Sequence, residues 1–452
     1  MPRQPVLTIC LAALVALPAA ARAQDAPPNL LDRTTLIDST TGPRARLVDS
    51  GITLGVQEQS EIWGNLRGGI RRGGAYFGMT TATIAIDTER LVGLPGGSAY
   101  ISVFQLHGTP ITSRLTGSAQ EISGIDGAPT TRLGSIWYEQ RFADDFLSVR
   151  LGQMSLDEEF MSSNAAAILM NVSFSTSHVV SLRGADTTYS GGPLTPVAAP
   201  GIRIKLMPTE QITVLGAVLT GEPFDHRRND RNGLLFRMPG GTISLLEMQY
   251  ALNQGESDTG LPGTYKLGGW FSTARVDDEY YDNRGLSLAN PASSGVPRLH
   301  TRNWRVYAIA DQMVWRRQET KDEGLTVFAG ASVGPSDRNP ADLSLFAGVN
   351  WKGIVPDRAD DVAGFGISYL RASRSVRRLD ADYRTFGAPA SPIHDREMVF
   401  ELTYKIQATG WMQLQPSIQY IHHPSAYIAN PSRPTEILKD ALAIGTRLTV
   451  TF

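Results

Sequence analysis

The last ten residues, AIGTRLTVTF at 443–452, alternate between two kinds of side chain. One parity is mostly apolar and ends on Phe452, whereas the other carries Arg447 among glycine and threonine. Successive side chains of a β-strand point to opposite faces, so this stretch predicts a strand with one apolar and one polar face. A strand that runs to the final residue needs a pairing partner elsewhere in the chain, and we expect that partner to be the first strand.

Alternating stretches bounded by turn residues recur along the sequence and number about 16, an even count that suits a closed antiparallel barrel. Closure removes the sheet edges, and in a bilayer it satisfies every backbone donor and acceptor within the protein. We therefore predict an all-β fold, a transmembrane antiparallel β-barrel of about 16 strands. The predicted strands are 54–63, 76–87, 98–107, 132–141, 145–154, 199–207, 211–220, 242–252, 263–274, 303–315, 323–333, 342–352, 362–372, 396–407, 411–421 and 441–452.

Every second connection between these strands is short and turn-like, and the others are mostly long and polar. A bacterial outer-membrane barrel has this alternation, with tight periplasmic turns and long outer loops. The outer loop near Asp337 is the one short exception. A soluble β-sandwich has no reason to place its long loops at one end, so we prefer the barrel. The short turns lie near Pro95, Asp144, Pro208, Arg358 and Thr409, and the long loops are 108–131, 155–198, 221–241, 276–302 and 373–395.

The beginning of the chain has the features of a cleaved signal peptide: Arg3, an apolar run over 6–20 and the Ala-Arg-Ala cleavage pattern at 21–23. A retained anchor needs about 20 apolar residues, more than this run offers. We predict a signal peptide at 1–23, a periplasmic amino-terminal segment at 24–53 and the barrel at 54–452. Proline at 43 and glycine at 51 favour a short helix within that segment, and a disordered tail is the alternative.

Charge and cysteine content exclude several kinds of protein. The chain has 42 Lys and Arg against 44 Asp and Glu, and the loss of Arg3 and Arg22 with the signal peptide moves the net charge from −2 to −4. This balance provides no basic surface for nucleic acid. Cys10, the single cysteine, lies in the predicted signal peptide, so we expect the exported chain to have neither disulfides nor thiolate metal sites.

Nine short strings stand in a characteristic order: EIWGN at 61–65, LVGLPGG at 91–97, WYEQRF at 137–142, VRLGQ at 149–153, LPGTYKLGGW at 261–270, DQMVWR at 311–316, PSDRN at 335–339, WKGIVPDRADDV at 351–362 and LQPSIQYI at 414–421. In this order they resemble the carbohydrate-selective porin (OprB) family over most of the mature chain. The resemblance implies a porin in the outer membrane of a Gram-negative bacterium, through which sugars such as glucose diffuse into the periplasm. The sequence departs from the family pattern at 39–42, where relatives tend to have a Trp-Gly-Gly element, so the role of the amino-terminal segment stays open.

The longest outer loop, 155–198, is the candidate to narrow the lumen, because a barrel of this size leaves an aqueous channel. Its first half, 157–171, has helical spacing. Such a helix would pack three apolar side chains on the wall: Phe160, Ile168 and Met170. It would carry three acids at the positive end of its dipole: Asp157, Glu158 and Glu159. We predict an inward-folded constriction loop, and an exposed acidic cap outside the pore is the alternative.

Strand parity selects the side chains that face the lumen, because a charge on the lipid face at mid-depth costs about 2–4 kcal/mol for Arg or Lys. Basic wall residues opposite the loop acids would create a transverse field, and an inward tryptophan, such as Trp137, would offer a flat surface to a sugar ring. Sugar hydroxyls both donate and accept hydrogen bonds, so they exchange water for such partners. The pore-lining candidates for substrate binding are Arg150, Arg203, Lys205, Glu247, Lys266, Trp270, Arg305, Asp311, Glu401, Lys405 and Arg447.

Other functions find less support in the sequence. The few histidines are not accompanied by a serine nucleophile motif, so we predict no enzyme, no catalytic residue and no cofactor. We also predict no metal site, because the adjacent His422 and His423 would point to opposite faces of a strand. A nonspecific or anion-selective porin is the remaining alternative.

The expected partners follow from the outer-membrane location. They are sugar solutes, outer-membrane lipid and lipopolysaccharide, and the outer-membrane assembly machinery, which would recognise Phe452; no nucleic-acid partner is expected. We place Phe452 in the aromatic girdle at the periplasmic rim, with its carboxylate in water. The sequence identifies neither the sugar nor the oligomeric state, a monomer or a homotrimer.

Overall fold

The computed structural model describes residues 30–37, 41–175, 193–221, 231–236, 240–255, 258–318, 320–387 and 392–452. The signal peptide predicted at 1–23 lies outside the described residues. Sixteen antiparallel strands form one closed barrel. They are β1 (Ile52–Gly69), β2 (Gly73–Asp87), β3 (Gly97–Gly108), β4 (Thr130–Phe142), β5 (Leu147–Met154), β6 (Ala199–Leu206), β7 (Ile212–Thr220), β8 (Thr242–Leu252), β9 (Gly263–Ser272), β10 (Asn303–Arg316), β11 (Gly324–Val333), β12 (Ala341–Lys352), β13 (Val362–Ala372), β14 (Arg396–Thr409), β15 (Met412–His422) and β16 (Lys439–Thr451).

The order of the strands around the barrel follows the sequence, and β16 closes the wall by pairing with β1. In this closing pair Gln57 lies opposite Thr451 and Trp63 lies opposite Gly445. Every predicted segment forms a strand, so the predicted fold class is confirmed. The boundaries of β3 to β16 differ from the predicted ones by at most two residues, whereas β1 and β2 extend further toward the outer side.

Alternate side chains of each strand face opposite sides of the wall, and burial separates the two rows. In β1, Ile62 is 62% exposed while the adjacent Glu61 is 0% exposed. In β14, Leu402 is 55% exposed while the adjacent Glu401 is 0% exposed. An apolar row therefore faces the membrane and a polar row faces the interior, as a transmembrane barrel requires.

The amino-terminal segment lies against the rim at which the chain ends. Gly42–Asp49 forms α1, with a proline in its first turn. Arg44 of this helix donates hydrogen bonds to the backbone oxygens of Leu54 and Phe452, both at 2.8 Å. The Phe452 N–H donates to the Val56 oxygen at 2.8 Å. The end of the chain, predicted to lie in water, is therefore bound by the amino-terminal segment.

Two outer connections are short: the one near Asp337, which was predicted as the exception, and the one between β1 and β2, which was not. β1 and β2 are joined by residues 70–72 alone, and β11 and β12 by residues 334–340. Glycine permits the first bend: Gly68 has a φ of 63°, and a Cβ there would lie 1.9 Å from the backbone oxygen of Asp440. On the opposite rim, the predicted turn near Pro95 includes a short helix, α2 (Thr88–Val92).

Further elements belong to the outer loops. Val276–Asp282 pairs with Pro297–His300, and Ala429–Asn430 pairs with Arg433–Ile437. A helix, α3 (Arg374–Phe386), precedes β14 and is capped by the hydroxyl of Ser373. Among the described residues, no helix has both the length and the apolar character needed to cross a membrane.

Gly445 of β16 lies beside the indole of Trp63, and we expect Gly445→Ala to destabilise the closing pair of the barrel. A Cβ at this position would lie 2.2 Å from the Trp63 ring, and overpacking of this kind costs about 1–3 kcal/mol. Gly216→Ala in β7 is the control, because its Cβ would meet only the Leu245 oxygen, at 3.9 Å. The unfolding temperature of the detergent-solubilised barrel, followed by heat-dependent gel mobility, should fall in the first variant only. Equal temperatures in the two variants would contradict this expectation.

Candidate functional site

The segment 155–175 of the longest outer loop lies against the inner face of the wall. Lys266 of β9 donates to the backbone oxygen of Ser162 at 2.8 Å. Backbone N–H groups of the segment donate to inward carboxylates on three strands: Met161 to Glu247 at 2.9 Å, Ala165 to Asp311 at 3.2 Å, and Met170 and Asn171 to Glu401 at 2.8 and 3.0 Å. Hydrogen bonds to an ionised group are stronger than neutral ones. The wall therefore fixes the segment at several points.

This segment is not the helix that its spacing predicts. It contains only 3₁₀ turns, at Leu156–Glu158, Ala166–Ile168 and Val172–Phe174. The wall carboxylates bind N–H groups that a helix would pair with its own carbonyl oxygens four residues back. The three apolar side chains are nevertheless buried: Phe160, Ile168 and Met170.

A second outer loop, 109–129, also lies inside the barrel, and the sequence analysis did not predict this. Its Ser123 donates to Glu61 at 2.8 Å, and Arg447 of β16 donates to both, at 2.8 Å to Glu61 and 3.0 Å to Ser123. The two loops meet where the Val172 N–H donates to the Glu121 oxygen at 3.1 Å. Together the two loops bind inward side chains on β8, β9, β10, β14, β16 and β1.

A charged cluster on β4, β5 and β6 joins two arginines with three glutamates. Arg203 donates to Glu159 at 2.6 Å and to Glu139 at 2.9 Å. Arg150 donates to Glu139 at 2.8 Å, and lies 3.6 Å from Glu158 and 3.5 Å from Glu159. Both arginines and Glu139 belong to the wall, whereas the other two acids belong to the loop. The wall cations therefore contact the loop acids directly and do not face them across a gap.

An aromatic surface continues the cluster along the wall. The guanidinium carbon of Arg150 lies 3.8 Å from the centre of the Trp137 ring, within the range of a cation–π interaction. Tyr100 stacks on Trp137 with ring centroids 5.3 Å apart. The wall thus presents flat apolar rings directly beside charged groups.

The loop acids are the more accessible members of the cluster. The side chains of Glu158 and Glu159 are 28% and 25% exposed, whereas that of Arg203 is 1% exposed. Burial raises the pKa of Glu158 above its ordinary value of 4.5, although a hydrogen bond from Ser135 and the charge of Arg150 act in the opposite direction. A solute in the lumen would therefore meet carboxylates that the arginines hold in place.

The predicted pore-lining residues fall into groups with different surroundings. Arg150 and Arg203 belong to the charged cluster. Arg305 donates to the backbone oxygen of Ala341 at 2.8 Å. Lys205 and Lys405 are half-buried and belong neither to the charged cluster nor to the side chains that anchor the inward loops. The following side chains anchor the two inward loops or are covered by them: Glu247, Lys266, Trp270, Asp311, Glu401 and Arg447.

The three predicted loop acids also differ in their contacts. Glu158 and Glu159 reach the arginines, as described above. Asp157 does not, because its carboxylate accepts hydrogen bonds from the N–H and the hydroxyl of Thr195 at 3.0 and 3.1 Å. Burial raises the pKa of Asp157, and the hydrogen bonds from Thr195 oppose this. Asp157 therefore holds the two ends of the loop together.

Sequence reasoning missed Glu139, Glu61 and the inward course of loop 109–129. Glu139 had a usable signal, because it shares the parity of Trp137 in the same strand. The alternation around Glu61 is obscured by two apolar residues in a row, Ile62 and Trp63. No local sequence pattern predicts that loop 109–129 lies inside the barrel, because the side chains that anchor it are distant in the sequence.

His422 and His423 do not point to opposite faces, which corrects the sequence argument. β15 ends at His422, and His423 has a φ of 52°. The two rings stack with centroids 3.8 Å apart and an interplanar angle of 24°. Strand alternation no longer applies once the strand has ended.

Comparisons with known proteins agree with this architecture. A family model described as carbohydrate-selective porin, OprB family, matches residues 71–452. Porin B of Pseudomonas aeruginosa is 26% identical over 442 residues, which cover 92% of each chain. A putative porin, QuiX, of Acinetobacter baylyi is 24% identical over 87% of this chain and 89% of its own length. A high-pH structure of Pseudomonas putida OprB has a TM-score of 0.81 at 21% identity, covering 93% of this chain and 99% of that chain.

Proposed function

The chain belongs to the carbohydrate-selective porin (OprB) family of outer-membrane channels, and on this premise we propose that glucose-type sugars pass the cluster of Arg150, Arg203, Glu139, Glu158 and Glu159. The position of this cluster supports the proposal. Segment 155–175 brings Glu158 and Glu159 onto the wall beside Arg150 and Arg203, where the two acid side chains remain 28% and 25% exposed. Half-buried inward side chains, among them Tyr100 and Trp137, line the same part of the wall.

The chemistry of the cluster suits a polyhydroxylated solute. A sugar hydroxyl can donate to a loop carboxylate and accept from a guanidinium, so it exchanges its water partners one by one. The apolar face of a pyranose ring can lie on the Trp137 ring. Binding has to be weak for the sugar to leave, so we expect affinities in the millimolar range.

The alternative is an anion-selective or nonspecific porin. Two guanidinium groups stand against three carboxylates in the cluster, so anions meet no net positive charge there. This arrangement favours a neutral, hydrogen-bonding solute over phosphate.

Sugar titration in planar lipid bilayers tests the proposal. We expect glucose, added to the wild-type channel, to reduce the ion current in a graded and saturable way, and a maltose series to do so with graded affinity. Phosphate at the same concentrations should leave the current unchanged. Block by phosphate alone would replace the sugar proposal with an anion-selective porin, and the absence of any block would replace it with a nonspecific one.

The proposal also covers how the chain is exported, how the barrel is assembled and how its loops contact lipid. Phe452 is engaged by Arg44 and Val56 in the closed barrel. The assembly machinery would therefore bind this residue before β1 and β16 pair. Residues 1–23 would be removed on export, and the acidic outer loops would lie among the cations of lipopolysaccharide. Both a monomer and a homotrimer are compatible with this route.

A further inference from the structure

A histidine pair and an aspartate meet on the outside of the barrel, at the outer ends of β15 and β16. His422 Nδ1 lies 3.0 Å from an oxygen of Asp440, whose other oxygen accepts the His423 N–H at 3.0 Å. One donor atom from each of these three residues lies within 4.8 Å of the others. Ile421 is 0% exposed on the inner row while Tyr420 is 41% exposed on the outer row. The cluster is therefore separate from the pore.

One buried nitrogen of this cluster has no hydrogen-bond partner among the described residues. This nitrogen is the Nδ1 atom of His423. Asp395 Oδ2 is 3.8 Å away and is itself bound by Arg396 at 2.5 Å. A buried polar atom without a partner costs about 1–3 kcal/mol, and an ion is one of the partners that can satisfy it.

We propose that His422, His423 and Asp440 bind a divalent transition metal of the zinc class. Two imidazoles and one carboxylate suit Zn²⁺, whereas Ca²⁺ and Mg²⁺ prefer oxygen ligands. The metal replaces the hydrogen bond between His422 and Asp440: a neutral His422 gives up the Nδ1 proton and takes one from solvent at Nε2, so that Nδ1 is free to coordinate and the imidazole stays neutral. The Tyr420 hydroxyl donates to Asp440 at 2.6 Å and orients this carboxylate. Water supplies the remaining coordination position.

A second cluster of similar composition lacks these features. Asp278 lies 2.8 Å from His300 and accepts two backbone N–H groups at its other oxygen. Asp337 is held by Arg338 through two hydrogen bonds of 2.8 Å. This cluster contains a single histidine and is already satisfied by its own contacts. It therefore provides a control for the proposed site.

Calorimetric titration of the full mature protein with ZnCl₂, purified in detergent without a histidine tag, tests the proposal. We expect one zinc ion per chain and a rise in the unfolding temperature of the barrel on binding. Affinity should fall about ten-fold or more in His422→Ala, His423→Ala and Asp440→Asn, because removal even of groups that only orient a ligand costs about 10–100-fold. His300→Ala should bind zinc as the wild type does, and so should His394→Ala, because the His394 ring lies 2.7 Å from Asp380 and outside the proposed site. CaCl₂ and MgCl₂ should not compete.

Several results would overturn the proposal. One is zinc binding by the wild type no tighter than by the His422→Ala/His423→Ala double variant. Others are the loss of binding in His300→Ala, or full competition by calcium or magnesium. Asp440→Asn nearly preserves the side-chain volume, and heat-dependent gel mobility reports whether each barrel is folded. Folded Asp440→Asn that retains the wild-type affinity would also exclude this site.

Discussion

Replacement of Glu247 and Glu401 together by alanine is expected to release the loop segment 155–175 from the wall and to widen the channel. Glu401 accepts two backbone N–H groups of this segment and Glu247 accepts one, and each buried donor left without a partner costs about 1–3 kcal/mol. The open conductance should rise about two-fold or more, because a wall of 16 strands encloses an aqueous channel. Glucose block should weaken about ten-fold, which corresponds to about 1.4 kcal/mol.

Single-channel recordings in planar bilayers measure both quantities. Glu210→Ala is the matched control, because Glu210 is an exposed acid in the turn between β6 and β7. It should leave conductance and glucose block at the wild-type values. A folded double variant with wild-type conductance would mean that the remaining contacts, including those of Lys266 and Asp311, hold the segment, and the anchoring role of the two carboxylates would be refuted.

The strands were predictable from the sequence because the membrane imposes their pattern directly. Each outward row must be apolar, so neighbours such as Ile62 and Glu61 or Leu402 and Glu401 reveal the inside and the outside without any tertiary information. Strand length beyond the bilayer is not constrained in this way. The outer extension of β1 pairs with β16 as far as Gly69 and Lys439, and that of β2 pairs with β1 at Asn65 and Gly73, so both depend on contacts between strands that no local pattern predicts.

The site was less predictable because its contacts join distant parts of the chain. Parity identified Glu401 and Glu247 as inward, but not that they would bind loop N–H groups and prevent a helix. The same limitation hid the inward course of loop 109–129, whose anchors Glu61 and Glu397 lie far away in the sequence. A local pattern can predict which way a side chain points, whereas its partner depends on how the loops fold.

Replacement of both cluster arginines is expected to have the second large effect. Arg150→Ala/Arg203→Ala leaves Glu139, Glu158 and Glu159 close together without a counter-charge. Two unit charges 4 Å apart interact with about 4 kcal/mol near a protein surface, so the carboxylates should attract permeating cations strongly. We expect the ratio of cation to anion permeability to rise about ten-fold, equivalent to about 1.4 kcal/mol. Glucose block should be lost, because the hydroxyls no longer find guanidinium donors.

A conservative variant separates charge from hydrogen-bond geometry. Arg150→Lys/Arg203→Lys keeps both charges but loses the planar donor fork, so ion selectivity should stay near the wild-type value while glucose block weakens. Arg141→Ala, which removes an exposed arginine at the end of β4, should change neither property. Reversal potentials in a salt gradient give the selectivity, and current block during glucose titration gives the binding. Glucose block that survives in the double alanine variant would place the sugar elsewhere in the lumen, because that variant lacks both guanidinium groups of the cluster.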